Sequence, residues 1–285
     1  MIRRELEVEF PVEAGPLLAH LEAHAIPGCE LPDREGGRHT RLVATAGGPR
    51  VVTVGITAGV TLETGAAAGS ELDEATAAVR VWLGLDADLD AANAVLREDP
   101  RLAPLVAARP GLRVVGYPEG FEGAVMTILG QQVSLAAART FGGRLAAAFG
   151  EPRPGGLKVF PSPARIAAVP VEELRAAVGI TAARARTISL IGAEFAGGLR
   201  LDPGVDPAAA RSRLAAIPGV GPWTVEYLAV RALRDPDAFP SGDLVLRREL
   251  GVETAAEAEA IAEAWRPWRA HGLFHVWTAA VFAGS

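Results

Sequence analysis

The alternation of apolar and polar residues that marks β-strands is confined to the first third of this 285-residue chain. Up to about residue 66, short alternating runs surround one helical segment, "GPLLAHLEAHAI", and a further helix is predicted from Ser70. After Asp86, helical segments follow one another with Gly, Pro and Asp between them. The pattern predicts an α+β protein, with a small α/β domain and antiparallel sheet at 1–85 and an all-α core of two helical subdomains at 86–285.

Composition narrows the class of protein. Hydrophobic residues make up 49% of the chain and charged residues 22%, which is enough apolar material for a buried core. No apolar run approaches the roughly 18 residues that span a membrane, and the N-terminus lacks the apolar stretch of a signal peptide. We therefore expect a cytoplasmic protein without a membrane partner. Cys29, the single cysteine, excludes a disulfide framework and a cysteine-ligated zinc or iron–sulfur site.

The charge balance argues against a broad nucleic-acid-binding surface. The net charge is −6, and Lys158 is the only basic residue that is not an arginine. An acidic chain does not usually coat nucleic acid with positive charge, but it can still hold a few phosphates locally.

A turn rich in glycine and proline offers such a local site. A helix predicted from Pro207 to about Ile217 is followed by the turn 218–221, "PGVG", and Pro222 begins the next helix. Gly219 and Gly221 are expected to adopt backbone conformations closed to other residues and to leave their N–H groups bare. At a helix start these groups favour an anion such as a phosphate. The alternative is a tight helical hairpin without a ligand.

An aspartate follows this hairpin at the start of another predicted helix. Asp243 directly precedes an apolar-periodic run that contains Leu244, Leu246 and Leu250. By spacing alone it is a helix N-cap, a role worth about 1 kcal/mol. A carboxylate is also what cleavage of a glycosidic bond requires opposite a developing oxocarbenium sugar.

Four sequence blocks, which follow one another along the chain in the order of the family, carry a family resemblance. The blocks "LAAIPGVGPWTVEYLA" and "DAFPSGDLVLRREL" resemble the helix-hairpin-helix–Gly/Pro–Asp superfamily of DNA base-excision glycosylases, with the hairpin at about 207–233. Residues 109–140 and 264–277 resemble the opening and the end of the helical core of its bacterial 3-methyladenine DNA glycosylase II (AlkA) type. The resemblance therefore implies a helix-hairpin-helix glycosylase core behind the α/β domain.

The resemblance also implies an activity. A monofunctional glycosylase of this type flips an alkylated purine such as 3-methyladenine or 7-methylguanine out of duplex DNA and hydrolyses its N-glycosidic bond. Asp243 matches the catalytic aspartate. Trp223 stands where bifunctional members carry their Schiff-base lysine, so no lyase step is expected. The implied partner is double-stranded DNA with a damaged base, and the protein is expected to be a monomer.

The remaining roles follow residue by residue from the resemblance. The pocket that receives the flipped base is implied to comprise Trp223, Tyr227, Trp277 and Gln131, with His20 at its rim. The residues implied to contact DNA are Gly219, Val220, Gly221, Gln132 and Thr224. Gln132 occupies the position of the residue that wedges into the base stack, which is usually bulky and apolar. No cofactor is required, but the carbonyls of Ile217 and Val220 are implied to hold a monovalent cation, Na⁺ or K⁺.

Three alternatives remain open at the level of sequence. One is a glycosylase of the same superfamily that acts on oxidised or deaminated bases. Another is a non-catalytic helix-hairpin-helix protein that only binds damaged DNA, and the last is a small-molecule enzyme that uses the aromatic cleft.

Overall fold

A computed structural model describes residues 1–57, 59–65, 69–153 and 155–282. Its N-terminal part is a five-stranded antiparallel sheet of order β1-β5-β4-β3-β2, with one helix inserted after β1 and another after β5. The elements are β1 (Ile2–Leu6), α1 (Ala14–His24), β2 (Glu30–Asp33), β3 (Arg38–Val43), β4 (Arg50–Ile56), β5 (Val60–Thr64) and α2 (Gly69–Leu83). Along β4, Val52, Val54 and Ile56 are buried between more exposed neighbours, so the predicted alternation places one face of the sheet in the core.

The rest of the described chain is mainly helical, which confirms the predicted α+β class. Its helices are α3 (Leu89–Leu96), α4 (Ala103–Ala108), α5 (Gly120–Gly130), α6 (Leu135–Phe149), α7 (Pro163–Ala168), α8 (Val171–Val178), α9 (Ala182–Ala196), α10 (Pro207–Ala215), α11 (Pro222–Leu228), α12 (Leu244–Leu250), α13 (Ala255–Ala262) and α14 (Arg269–Val281). A π-helical turn, Ala229–Leu233, extends α11, and a 3₁₀ turn, Glu263–Trp265, follows α13. A two-stranded ribbon that the sequence pattern did not indicate, β6 (Glu151–Pro152) with β7 (Lys158–Val159), follows α6. None of the described helices is long and apolar enough to cross a membrane.

Helix α5 lies at the centre of the molecule. Every side chain from Phe121 to Leu129 is buried, as expected of a helix enclosed on all sides. The helix packs against α6, α9 and α11 and ends at Gly130. Its end delivers the loop 131–134 next to the turn between α10 and α11.

A buried ionic cluster joins the sheet to α5. The Nη2 of Arg41, on β3, donates to both carboxylate oxygens of Glu122, at 2.9 and 2.7 Å. Glu30 lies 3.4 Å from Arg41 and 2.6 Å from the His39 Nε2. All four side chains are buried, so their mutual contacts replace the water that each would otherwise bind.

The hairpin forms where the sequence predicts it. Asp206 caps α10 by accepting a hydrogen bond from the Ala208 N–H at 2.9 Å, and Pro222 begins α11. Gly219 has φ +92°, and a Cβ there would lie 2.1 Å from the Thr187 hydroxyl oxygen. Both the backbone conformation and the lack of space therefore require glycine at this position.

Gly221 differs from that expectation. Its backbone, at φ −94° and ψ 173°, is open to any residue, and no atom would lie within 4 Å of an added Cβ. The prediction that both glycines take conformations closed to other residues is therefore correct for Gly219 and wrong for Gly221.

Candidate active site

A cavity of about 310 Å³ opens between α1, α5, the α11 segment, the start of α12 and α14. Among the described residues, six aromatic side chains line it: Tyr117, Trp223, Tyr227, Phe274, Trp277 and Phe282. Asp243 and His20 also line it. The fold thus brings together the predicted catalytic aspartate and the three predicted aromatic pocket residues. His20, predicted at the rim, is instead a buried side chain of the lining.

Asp243 is fixed by three N–H donors. As the N-cap of α12, its Oδ1 accepts a hydrogen bond from the Leu246 backbone N–H at 2.9 Å. The Trp277 indole N–H donates to the same oxygen at 3.0 Å, and the Trp223 indole N–H donates to Oδ2 at 3.1 Å. A single orientation of the carboxylate therefore allows Asp243 both to cap α12 and to line the pocket.

The aromatic side chains form a continuous wall. Trp223 and Tyr227, four residues apart on α11, stack with ring centroids 5.0 Å apart. Tyr227 and Trp277 lie 5.8 Å apart with their planes tilted by 46°. Phe274 lies three residues before Trp277 on α14, and the centroids of these two rings are 5.5 Å apart. Such a wall offers a flat base extensive stacking surface.

Arg231 lies at the inner end of the cavity, on the π-helical turn. Its side chain is 2% exposed, and its Nη1 donates to the Tyr227 hydroxyl at 2.8 Å. The guanidinium carbon lies 4.7 Å from the centroid of the Tyr117 ring. Sequence reasoning missed this residue, although a lone charge in the apolar run "YLAVRAL", four positions after Tyr227, was a usable signal.

Two stacked histidines of α1 lie at the same end of the cavity. The ring centroids of His20 and His24 are 4.1 Å apart, and His24 Nδ1 donates to the His20 carbonyl oxygen at 2.8 Å. Burial, helped by nearby Arg231, lowers the pKa of His24 to about 3. Burial also lowers the pKa of His20 well below its usual value, with His24 and Arg231 adding to the effect. Both imidazoles are therefore neutral at pH 7.

The loop after α5 holds the hairpin. Gln131, which the resemblance places in the pocket, is not among the residues that line the cavity. Its Nε2 instead donates to the Gly219 carbonyl at 3.2 Å and to the Thr224 hydroxyl at 3.0 Å. Thr224, implied to contact DNA, is only 2% exposed and presents its hydroxyl to Gln131. Both side chains brace the turn from behind.

The tip of this loop is exposed. Gln132, at the implied wedge position, has φ +55°, and the apolar Val133 and Leu135 beside it are also exposed. On the neighbouring turn, Gly219 is exposed and Gly221 is partly exposed, whereas the Val220 side chain is buried. The Ile217 carbonyl accepts a hydrogen bond from the Val220 N–H at 3.0 Å, which closes the turn.

Two protein-family models match consecutive parts of the chain. Residues 3–119 match the AlkA N-terminal domain, and residues 125–269 match the HhH-GPD superfamily of base excision DNA repair proteins. The second match contains the hairpin, Asp243 and the pocket residues of α11.

Curated relatives agree with these matches. The chain is 38% identical over 287 residues to the probable bifunctional transcriptional activator/DNA repair enzyme AlkA of Mycobacterium tuberculosis, covering 96% of this chain and 56% of that protein. It is 37% identical over 179 residues to DNA-3-methyladenine glycosylase 2 of Escherichia coli, covering 62% of this chain and 63% of the relative. The chain thus spans little more than half the length of the mycobacterial relative.

Solved structures share the fold. The 3-methyladenine DNA-glycosylase from Archaeoglobus fulgidus superposes with a TM-score of 0.85 at 22% identity, covering 100% of this chain and 99% of that one. This similarity extends over the N-terminal sheet and the helical core together.

Proposed function

Because the chain belongs to the HhH-GPD superfamily of base excision DNA repair proteins, we propose that it is a monofunctional DNA glycosylase for alkylated purines of the 3-methyladenine and 7-methylguanine type. The observation that carries the proposal is the position of Asp243, a carboxylate held by the indoles of two pocket-wall tryptophans. Capping α12 requires only the Leu246 N–H, so the two indole donors fix this carboxylate in the cavity beyond what the cap needs. The proposed function therefore rests on the residues of the site, and membership of the family supports it.

The geometry supports a defined reaction. A purine flipped out of the duplex stacks against Trp223, Tyr227 and Trp277, which places its sugar at the mouth of the cavity beside Asp243. As the N-glycosidic bond breaks, positive charge develops on C1′ and the ring oxygen of the sugar, and the carboxylate stabilises this charge. Asp243 also orients the water that adds to C1′. An abasic site and a free base result.

The proposed reaction stops at the abasic site. The position of the Schiff-base lysine of bifunctional members is taken by Trp223, whose indole N–H is engaged by Asp243. Lys158, the single lysine, lies on β7 and donates to the Ala147 carbonyl at 2.7 Å. It is not among the residues that line the cavity. Among the described residues of the cavity lining there is therefore no lysine to attack C1′.

The hairpin is the proposed phosphate-binding element. Gly221 is partly exposed, and no atom lies within 4 Å of the position of an added Cβ, so a phosphate can approach the backbone at the start of α11, where an acidic protein can hold it without lysines. The carbonyl oxygens of Ile217 and Val220 are neutral oxygen donors, which suit Na⁺ or K⁺. An ion there would offset phosphate charge, and no other cofactor belongs to the proposal.

A panel of duplexes with single lesions tests this function. We expect release of 3-methyladenine and 7-methylguanine, with strand breaks appearing only after alkali converts the abasic sites. Release confined to 8-oxoguanine or uracil would favour the alternative of a glycosylase for oxidised or deaminated bases. Tight binding without release of any base would support the damage-binding alternative.

The same substitution at the two glycines separates folding from DNA binding. Gly221→Ala places a methyl group in open space, so the free energy of unfolding should change by less than about 1 kcal/mol. The affinity for duplex DNA should nevertheless fall about tenfold, because the methyl group obstructs the phosphate. Gly219→Ala should lower the free energy of unfolding by about 2 kcal/mol or more, through strain and contact with Thr187. Urea unfolding and fluorescence anisotropy measure the two quantities, and unchanged DNA affinity in Gly221→Ala would exclude this turn as the phosphate site.

A further inference from the structure

The loop 131–134, between α5 and α6, carries an unusual backbone conformation beside the hairpin turn. Gln132 at its exposed tip has φ +55°, in the left-handed region that a residue with a side chain rarely adopts. Val133, the next residue, lines the cavity. The loop therefore carries both the implied wedge residue and part of the pocket lining. A backbone conformation of this kind persists only where the surrounding contacts hold it.

The hydrogen bonds that hold the loop from outside pass through Gln131. In the described part of the chain, every hydrogen bond between the loop and a segment other than α5 or α6 involves this residue. Its side chain donates to the Gly219 carbonyl at 3.2 Å and to the Thr224 hydroxyl at 3.0 Å. Its backbone carbonyl accepts a hydrogen bond from the Nη2 of Arg184, on α9, at 2.5 Å. Arg184 thus holds the backbone of the loop directly.

One face of α9 holds both the loop and the hairpin turn. Thr187 follows Arg184 by three residues, so the two side chains lie on the same face of the helix. The Thr187 hydroxyl donates to the Pro218 carbonyl at 2.9 Å. Because Gln131 also bonds to Gly219, the loop, the hairpin turn and α9 form a closed ring of hydrogen bonds. A shift of the loop relative to the hairpin must break one of these bonds.

The charge of Arg184 is not used in an ion pair. The side chain is partly exposed, and no carboxylate lies within 4 Å of it in the part of the chain that the structure describes. Near the other end of α9, by contrast, Glu194 pairs with Arg213 at 2.8 Å. Arg184 also lies in the first turn of α9, after the cap Thr181, where the helix dipole disfavours a positive charge. Neither an ion pair nor the dipole accounts for an arginine here, whereas its bond to the loop does.

We propose that Arg184 is a positioning residue for base extrusion, which it assists by holding the loop 131–134 in place. The proposal rests on the glycosylase function proposed above. By fixing the Gln131 carbonyl, Arg184 sets where Gln132 enters the space that the flipped base leaves. Extrusion of a paired base costs pairing and stacking free energy. A side chain that fills the vacated space offsets part of this cost only if it is held in place.

The test compares a paired lesion with an unpaired one. Single-turnover rates of base release are measured for the wild type, Arg184→Ala and Arg184→Lys on duplexes with 7-methylguanine opposite cytosine or opposite an abasic analogue. In Arg184→Ala we expect release from the paired lesion to slow about tenfold and release from the unpaired lesion to change less than about threefold, because extrusion costs less without a partner base. Arg184→Lys keeps a donor for the Gln131 carbonyl and should recover most of the rate. The fluorescence of a 2-aminopurine beside the paired lesion reports extrusion separately and should rise less in Arg184→Ala.

Arg186→Ala is the matched control. Arg186 lies two positions further along α9, is exposed, and has no hydrogen bond or ion pair within the described residues. Its removal changes the net charge by the same amount and leaves the bonds of the loop intact. The ratio of the rates on the two duplexes should therefore stay that of the wild type. Equal effects in the two alanine variants would mean that both arginines act only as charges near DNA phosphates, which contradicts the proposal.

The remaining outcomes separate this proposal from the proposed function. Equal losses on the paired and unpaired lesions in Arg184→Ala, with an unchanged thermal unfolding midpoint, would overturn the role in extrusion and leave the glycosylase function intact. A wild type that releases base from neither duplex contradicts the glycosylase function itself. If Arg184→Ala does not fold, Arg184→Met keeps the apolar stem of the side chain and removes only its donors. Failure of a folded lysine variant to recover the rate also contradicts the proposal.

Discussion

Replacing Asp243 with asparagine is expected to slow base release by about 10³-fold or more, equivalent to roughly 4 kcal/mol of transition-state stabilisation. The amide oxygen can still accept the Leu246 N–H as an N-cap, so α12 should stay folded. The negative charge opposite the oxocarbenium sugar is lost. Single-turnover release of 3-methyladenine measures the effect, and affinity for a duplex with a non-cleavable abasic analogue should be unchanged. Full activity in this variant would remove Asp243 from the mechanism.

Two ring-preserving variants serve as controls for Asp243. Trp223→Phe and Trp277→Phe each keep an aromatic surface for stacking but remove one N–H donor to the carboxylate. We expect each to reduce the rate of base release about tenfold, with a smaller effect on DNA affinity, because the carboxylate is less well oriented. If both variants weaken binding and leave the chemical step untouched, the indoles act only as stacking surfaces.

Arg41→Ala is expected to lower the free energy of unfolding by about 3–5 kcal/mol. The substitution leaves the buried Glu122 without its two hydrogen bonds to a cation, and it also removes the guanidinium that lies 3.4 Å from Glu30. Two carboxylates that have lost their shared cation cannot both stay buried and ionised at low cost. Urea unfolding monitored by tryptophan fluorescence gives the free energy of unfolding. We expect the contact between the sheet and α5 to weaken once the ionic cluster is lost.

The matched control for Arg41→Ala is the double variant Arg41→Met/Glu122→Leu. It replaces Arg41 and Glu122 with apolar side chains of similar size and should recover the part of the loss that comes from the unpaired Glu122, while Glu30 keeps its hydrogen bond to His39 but no arginine. A loss below about 1 kcal/mol in the single variant would mean that water reaches the cluster and screens it.

Much of the fold follows from local sequence signals. The alternation in β4 and the helical spacing after Asp86 are properties of neighbouring residues, and they predict the sheet and the helices directly. The caps at Asp206 and Asp243 are equally local, since each side chain bonds to an N–H two or three residues ahead. The resemblance implies that Asp243 lies beside Trp223, Tyr227 and Trp277, and in the structure these four residues line one cavity.

The remaining features depend on contacts between distant segments. The indole hydrogen bonds to Asp243 join residues 20 and 34 positions apart, which no spacing rule addresses. Gln131 turns toward Gly219 and Thr224 because α5 ends behind the hairpin, a packing fact invisible in the motif. The inward orientation of Arg231 depends on the π-helical turn, which shifts the helical register locally. The ribbon of β6 and β7 has strands of two residues, too short for any alternation.

The bonds from Trp223 and Trp277 to Asp243 limit how such a protein can change over evolution. Widening the cavity by trimming either tryptophan also removes a hydrogen-bond donor to the carboxylate, so under the proposed function a gain in lesion range is tied to a loss of catalytic rate. Variation is less constrained at Val133, an exposed residue of the cavity lining, and at the exposed Leu244 next to Asp243, because neither side chain contacts the carboxylate through a hydrogen bond or belongs to the aromatic wall. New lesion preferences in descendants of this sequence should therefore appear first at the rim of the cavity, while the two indoles persist.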